Sequence, residues 1–154
     1  MSRIFLGLSS REGDRLGHLV RGVQMLRSYG HEADIEGYSD VVSLVLKAEE
    51  EPSFACVLSG ESGATFEALQ GICRETEWAL GKQPETLTVW ILQHGERRPG
   101  KAPRAFEAIR AGRLEAGMTR VMEAGEFRRI CDWGQEIIGD ESDVIGEWPS
   151  ATGR

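Results

Sequence analysis

Blocks of apolar and polar positions alternate along the first part of the chain, and they predict strands and helices in turn. Residues 3–8 form a short apolar run that ends in a Gly/Ser-rich turn, which is typical of a buried strand. Apolar residues then recur at helical spacing from Leu16 to Leu26, with Asp14 in position to cap the helix and Gly30 to stop it. The chain is therefore expected to open with a strand and a helix.

Two further β-prone segments follow this helix. Residues 33–46 are rich in β-branched side chains and are interrupted by Gly37, which predicts one strand or a pair of short strands. An acidic stretch that ends at Pro52 then marks a turn. The next run, FACVLSGE at residues 54–61, predicts another strand.

A second helix and a last strand complete this pattern. Ser62 or Thr65 is placed to cap a helix over residues 66–80, and residues 86–93, TLTVWILQ, are strongly β-prone. The order is strand, helix, strand, strand, helix, strand. This βαββαβ order predicts the ferredoxin-like fold, an α+β architecture with an antiparallel sheet and its helices on one face.

The pattern changes beyond Gly95. Residues 97–138 are mostly helix-forming with glycines as punctuation, so we expect a helical extension of two or three short helices packed on a core of residues 1–96. The apolar residues expected to pack it are Phe106, Ile109, Met118, Val121, Phe127, Ile130 and Ile137. Residues 139–154 are acidic and then Ser/Thr/Gly-rich, which predicts a fraying tail.

Composition and charge narrow the class of protein. With 154 residues, 40% of them apolar and 28% charged, the chain fits a single globular domain. The formal net charge of −7 argues against nucleic-acid binding, which needs clustered Lys and Arg. Neither a secretory leader nor an apolar run long enough to cross a bilayer is evident, so we expect no membrane association and a cytoplasmic location.

The cysteines and histidines give no sign of a metal site. Cys56, Cys73 and Cys131 are odd in number and widely spaced, which favours small core residues over a disulfide framework or a zinc site. The three histidines have no metal-like spacing and lie on different predicted elements. We therefore expect no metal ligands.

Three local motifs share a pattern with one enzyme family. The opening stretch IFLGLSSREGDRL, residues 4–16, resembles the start of the 6-hydroxymethyl-7,8-dihydropterin pyrophosphokinase family, whose members typically begin with a motif close to LGSNLGDRL. PSFACV at residues 52–57 is similar to the family's P-x-F-L-N-A. EWALGK at residues 77–82 is similar to E-x-x-L-G-R, and residues 86–92 follow where the family has TLDLDIL. The resemblance covers about residues 3–95.

The resemblance implies a folate-pathway enzyme that transfers pyrophosphate from ATP to a pterin, with magnesium held by the family's D-x-D motif. This chain has Thr88 and Trp90 at those two positions, and neither side chain is anionic. Cys56 stands where the family has an Asn that reads the pterin. Only residues 83–85 lie where family members carry a long loop that closes over ATP.

Six residues occupy the positions of the family's ligand pocket, and we treat them as degenerate ligand-binding positions without a catalytic role: Ser10, Arg11, Phe54, Cys56, Thr88 and Trp90. Three of them have two interpretations each. Trp90 is a stacking platform for a flat ligand or a core residue. Ser10 presents a hydroxyl to an anion or forms a turn and helix cap. Cys56 is a reactive thiol or a buried, inert one.

The leading hypothesis is a divergent family member that lacks magnesium-dependent pyrophosphoryl transfer, needs no cofactor and acts as a binding or regulatory module. One alternative is an active pterin pyrophosphokinase, or a related ATP- or pterin-dependent transferase, that uses ATP and magnesium with acids such as Glu12, Asp14, Glu61 or the acidic tail. Another is an assembly subunit. Its sheet edge or its C-terminal helices would dock a protein partner or a second copy of the chain.

Overall fold

A six-stranded antiparallel sheet with four α-helices makes up the part of the chain that the structure, a computed structural model, describes. The described residues are 1–45, 51–81 and 86–140, with side chains as far as Trp133. The elements in chain order are β1 (Ser2–Ser10), α1 (Arg15–Arg27), a 3₁₀ turn (Gly30–Ala33), β2 (Asp34–Tyr38), β3 (Val41–Leu44), β4 (Ser53–Ser62), α2 (Phe66–Leu80), β5 (Thr88–His94), α3 (Ala105–Arg110), β6 (Thr119–Met122) and α4 (Ala124–Asp140).

The strands follow the order β5-β1-β4-β3-β6, and β2 also pairs with β4. Along one side of β4, residues 58–61 pair with β2 and residues 53–55 pair with β3. The pairing is interrupted between β2 and β3 at Ser39, whose hydroxyl accepts a hydrogen bond from the Val57 amide at 2.7 Å. The predicted α+β class and antiparallel sheet are confirmed, whereas the simple ferredoxin-like order is not, because the sheet has six strands.

Side-chain caps fix where the first two helices begin. The Asp14 carboxylate accepts from the Gly17 amide at 3.1 Å, and the Thr65 hydroxyl accepts from the Ala68 amide at 3.1 Å. The other proposed cap, Ser62, donates instead to the Glu32 carbonyl. Both helices predicted from the sequence are therefore confirmed, with Asp14 and Thr65 as their caps.

The main hydrophobic core lies between the sheet and three helices. It joins alternate residues of β1 to the apolar faces of α1 and α2. Phe127 and Cys131 of α4, both fully buried, belong to the same core. The other fully buried members are Ile4, Leu6, Leu8, Leu19, Val20, Val23, Leu26, Ala33, Val41, Cys56, Leu58 and Leu69. The chain beyond residue 96 thus contributes to the central core.

A second, smaller core covers the opposite face of the sheet. Phe106 and Ile109 of α3 are buried there against Val42, Val57 and other sheet residues. The two helices predicted for one face, α1 and α2, both pack in the main core, whereas α3 of the C-terminal extension lies on the opposite face. Successive side chains of a strand point to opposite faces of the sheet, and the strands here carry apolar residues at both sets of positions. Both faces are therefore apolar, and helices shield each of them from solvent.

Residues 97–138, predicted to be mostly helical, also contain the strand β6. Residues 119–122 pair with β3, Val42 lying opposite Arg120, because the edge of β3 offers backbone groups that this segment satisfies. Val121, expected to pack between helices, is 37% exposed on this strand. Phe106, Ile109 and Phe127 are buried as predicted, and Met118 and Ile130 are partly buried.

Some predicted features lie outside the described residues. These are the connection at residues 83–85, the end of the predicted second strand at residue 46, the side chain of Ile137 and the tail from residue 141 onward. Among the described residues, none of the helices combines the length and the apolar character that a membrane span requires.

Candidate functional site

The sheet separates the six candidate residues between its two faces. Cys56 and Phe54 pack into the main core beneath the helices, whereas Trp90 packs into the second core. Thr88 lies two positions before Trp90 on β5, and strand alternation places it on the same face as Trp90. The structure therefore brings together Thr88 and Trp90, as their spacing predicts, but not all six candidates.

Ser10, at the end of β1, lies on the helix side of the sheet. Its hydroxyl is 3.0 Å from Nδ1 of His18 on α1, and Ser10 is buried. Burial lowers the pKa of His18, and the charge of Arg21 lowers it further, while the charge of Asp14 acts in the opposite direction. A neutral His18 is therefore favoured, and the pair ties β1 to α1. No spacing signal in the sequence points to His18, because Ser10 and His18 lie on different elements joined by a turn.

Arg11 and Arg15 follow Ser10 at the same end of the sheet. Arg11 is half-buried, and its side chain is not free of interactions. The Arg15 guanidinium lies 4.0 Å from the ring centroid of Phe54 and donates to the Pro52 carbonyl at 2.8 Å. One face of the Phe54 ring is therefore covered by Arg15.

Cys56 is fully buried in the main core. Burial raises the pKa of its thiol well above the ordinary value, and nearby Cys131 adds to that effect. Burial likewise raises the pKa of Cys73 and Cys131 to about 12. All three cysteines are free and buried, which supports the interpretation of Cys56 as an inert core thiol.

Trp90 meets an aromatic ring from α3. The Trp90 and Phe106 ring centroids are 5.1 Å apart, with the ring planes tilted by 55°. Phe106 also lies on Gly7, the β1 residue that pairs with Trp90. A Cβ added at Gly7 would lie 2.9 Å from the Phe106 ring, so the ring fits only because this position has no side chain. Phe106 therefore covers the sheet face that carries Trp90.

The replacement Gly7→Ala is expected to lower the free energy of unfolding by about 1–3 kcal/mol, because the added methyl forces Phe106 or the strand to shift. Urea denaturation followed by circular dichroism measures this change. Gly71→Ala is the matched control, since an added Cβ on the exposed side of α2 meets nothing within 4 Å. We expect the control to gain up to about 1 kcal/mol from helix propensity. Gly7→Ala at wild-type stability would contradict this packing.

The residues at the family's magnesium positions do not fit the ion. Magnesium prefers carboxylate oxygens in octahedral geometry, whereas Thr88 offers one neutral hydroxyl and Trp90 only an N–H donor. Within residues 1–45, 51–81 and 86–133, no three His, Cys, Asp or Glu side chains are grouped so that they could hold a metal ion. Thr88 and Trp90 therefore supply no carboxylate for the metal that pyrophosphoryl transfer needs.

No family model and no curated protein matches the sequence. The relation to the pterin pyrophosphokinase family therefore stays a prediction that depends on the three motifs between residues 3 and 95. The geometry adds information that these motifs do not contain. The face that includes Thr88 and Trp90 is covered by α3, a helix from the part of the chain that the resemblance does not reach.

Proposed function

We propose that the protein is a divergent relative of the pterin pyrophosphokinase family that acts as a non-catalytic binding module. The contact between Trp90 and Phe106 carries this proposal, since Phe106 packs on the sheet face on which the family's D-x-D motif would lie. Phe106 is 1% exposed, so its ring occupies space beside Trp90 on that face.

The strand pairing supports a common scaffold. β2 and β3 pair with successive parts of β4, so the two can be taken as one interrupted second strand. The sheet then follows the order β5-β1-β4-β2/β3, which is the ferredoxin-like arrangement with β6 added at one edge. On this interpretation the divergent features are β6, α3 and α4, all of them outside the region of resemblance.

Electrostatics support the loss of catalysis. A unit-charge pair at 4 Å is worth about 4 kcal/mol at an effective dielectric constant near 20, and the change from D-x-D to Thr88 and Trp90 removes two such attractions for magnesium. The alternative of an active enzyme calls on acids elsewhere, among them Asp14. The carboxylate of Asp14, however, is engaged at the start of α1.

The proposal predicts that the protein neither binds nor turns over ATP in a magnesium-dependent way. Calorimetric titration with a non-hydrolysable ATP analogue is expected to give the same absence of binding with magnesium as with EDTA. An assay for AMP release with the dihydropterin substrate is expected to stay at background. Magnesium-dependent binding with a micromolar Kd, or AMP release above background, would show that the protein is an enzyme and overturn the proposal.

A further inference from the structure

A cleft of about 310 Å³ opens where the end of α3 meets the β2–β3 turn and the start of α4. Its walls include Ser39, Asp40, Ile109, Arg110 and Arg113. Small-molecule sites begin at about this size, roughly 300 Å³. None of these residues belongs to the contact between Trp90 and Phe106, so an inference about the cleft does not depend on the proposed function.

Arg110 is the unusual member of this wall. Its Nη2 donates to Oε1 of Gln93 at 2.8 Å, and its guanidinium lies 3.6 Å from the Phe5 ring centroid. Its Nη1 is buried and has no hydrogen-bond acceptor among the residues that the structure describes. A buried donor on a charged group is costly when it is left unpaired. Burial and then the charge of Arg98 lower the pKa of Arg110, while the charge of Glu107 acts in the opposite direction.

Asp40, the acidic residue in the cleft wall, is already engaged with groups other than Arg110. The Asp40 carboxylate accepts from the Ala124 amide at 2.8 Å and from Nε of Arg120 at 2.9 Å. Arg113 brings a second positive charge, and its own partner, Glu115, lies at 3.7 Å with both side chains exposed. The charged residues that line the cleft are therefore two arginines and one aspartate whose carboxylate is already engaged.

We propose that this cleft binds the oxyanion group of a small molecule, a carboxylate or a phosphate, through Arg110 with help from Arg113. A guanidinium offers its donors in a planar fork that matches both groups. In the structure Nη1 of Arg110 is buried away from solvent. We therefore expect the guanidinium to move towards the cleft when the anion binds. The anion then supplies the acceptor that Nη1 lacks.

An NMR titration of the ¹⁵N-labelled protein tests this proposal, with sodium phosphate and sodium acetate as probes and sodium chloride at matched ionic strength as reference. We expect saturable shifts of the backbone amides of residues 39–40 and 110–113 with at least one of the two oxyanions, and none with chloride. A response to phosphate alone identifies a phosphate site, and a response to acetate alone identifies a carboxylate site.

Variants show whether the arginines are responsible. Arg110→Gln is expected to weaken binding about tenfold, the loss of one charge-assisted contact. Arg113→Gln is expected to weaken it less. Arg104→Gln, at an exposed position just before α3 and outside the cleft, is expected to leave it unchanged. Wild-type protein without saturable shifts, or Arg110→Gln with wild-type affinity, would overturn the proposal. If Arg110→Gln does not fold, the anion affinities of Arg113→Gln and Arg104→Gln are compared instead. Equal affinities of these two variants would overturn the proposal.

Discussion

The replacement Phe106→Ala is expected to lower the free energy of unfolding by about 3–5 kcal/mol, as for other large aromatic residues removed from a core. Phe106 is 1% exposed and lies between the Trp90 ring and the backbone of Gly7. The strand beneath cannot close the gap, because Gly7 has no side chain to fill it. Urea denaturation followed by far-ultraviolet circular dichroism measures the loss.

Leu114→Ala is the matched control for this prediction. Leu114 follows α3 in the chain and is 47% exposed, so its truncation is expected to change stability by no more than about 0.5 kcal/mol. If Phe106→Ala is as mild as Leu114→Ala, α3 does not cover the sheet. The argument that Trp90 faces a filled site would then fail as well.

The elements that the sequence predicts well are those with strong local signals. α1 and α2 have an apolar stripe and a capping residue close by in the sequence, and the structure places Asp14 and Thr65 at those caps. β4 and β5 are β-prone runs bounded by turns. In each case neighbouring residues suffice to specify the element.

β6 and α3 depend on parts of the chain that are distant in the sequence. Residues 119–122 show no alternation of buried and exposed positions, and they form a strand because β3 presents an unpaired edge. α3 has only six residues, too few to be stable without the sheet face on which Phe106 packs. A single sequence does not show which segment covers which surface.

The candidate site, too, is predicted from the sequence only where the signal is local. Alternation along β5 is enough to predict that Thr88 and Trp90 share a face. It does not show that Phe106 covers Trp90, or that Cys56 lies on the opposite face under the helices. Arg110 resembles the other arginines of its segment in the sequence. Only the fold shows that its guanidinium stacks on Phe5 and leaves one donor unpaired.

The replacement Phe127→Ala is expected to destabilise the protein by about 3–5 kcal/mol, as much as Phe106→Ala. Phe127, on α4, is fully buried in the main core and packs edge to face against Tyr38, with ring centroids 5.9 Å apart. The amide of Gln24 on α1 also donates to the Cys131 carbonyl at 3.2 Å. These contacts make α4 part of the core. Thermal and urea denaturation of the full chain measure the effect.

Arg129→Ala on the same helix is the control, since Arg129 is exposed and its truncation is expected to change stability by no more than about 0.5 kcal/mol. The comparison tests where the domain ends. If Phe127→Ala unfolds at the same urea concentration as Arg129→Ala, the core is complete within residues 1–96 and α4 is the appended extension that composition alone predicts. A loss of several kcal/mol confined to Phe127→Ala means that the first 96 residues lack part of their own core, because α4 supplies a fully buried side chain to it.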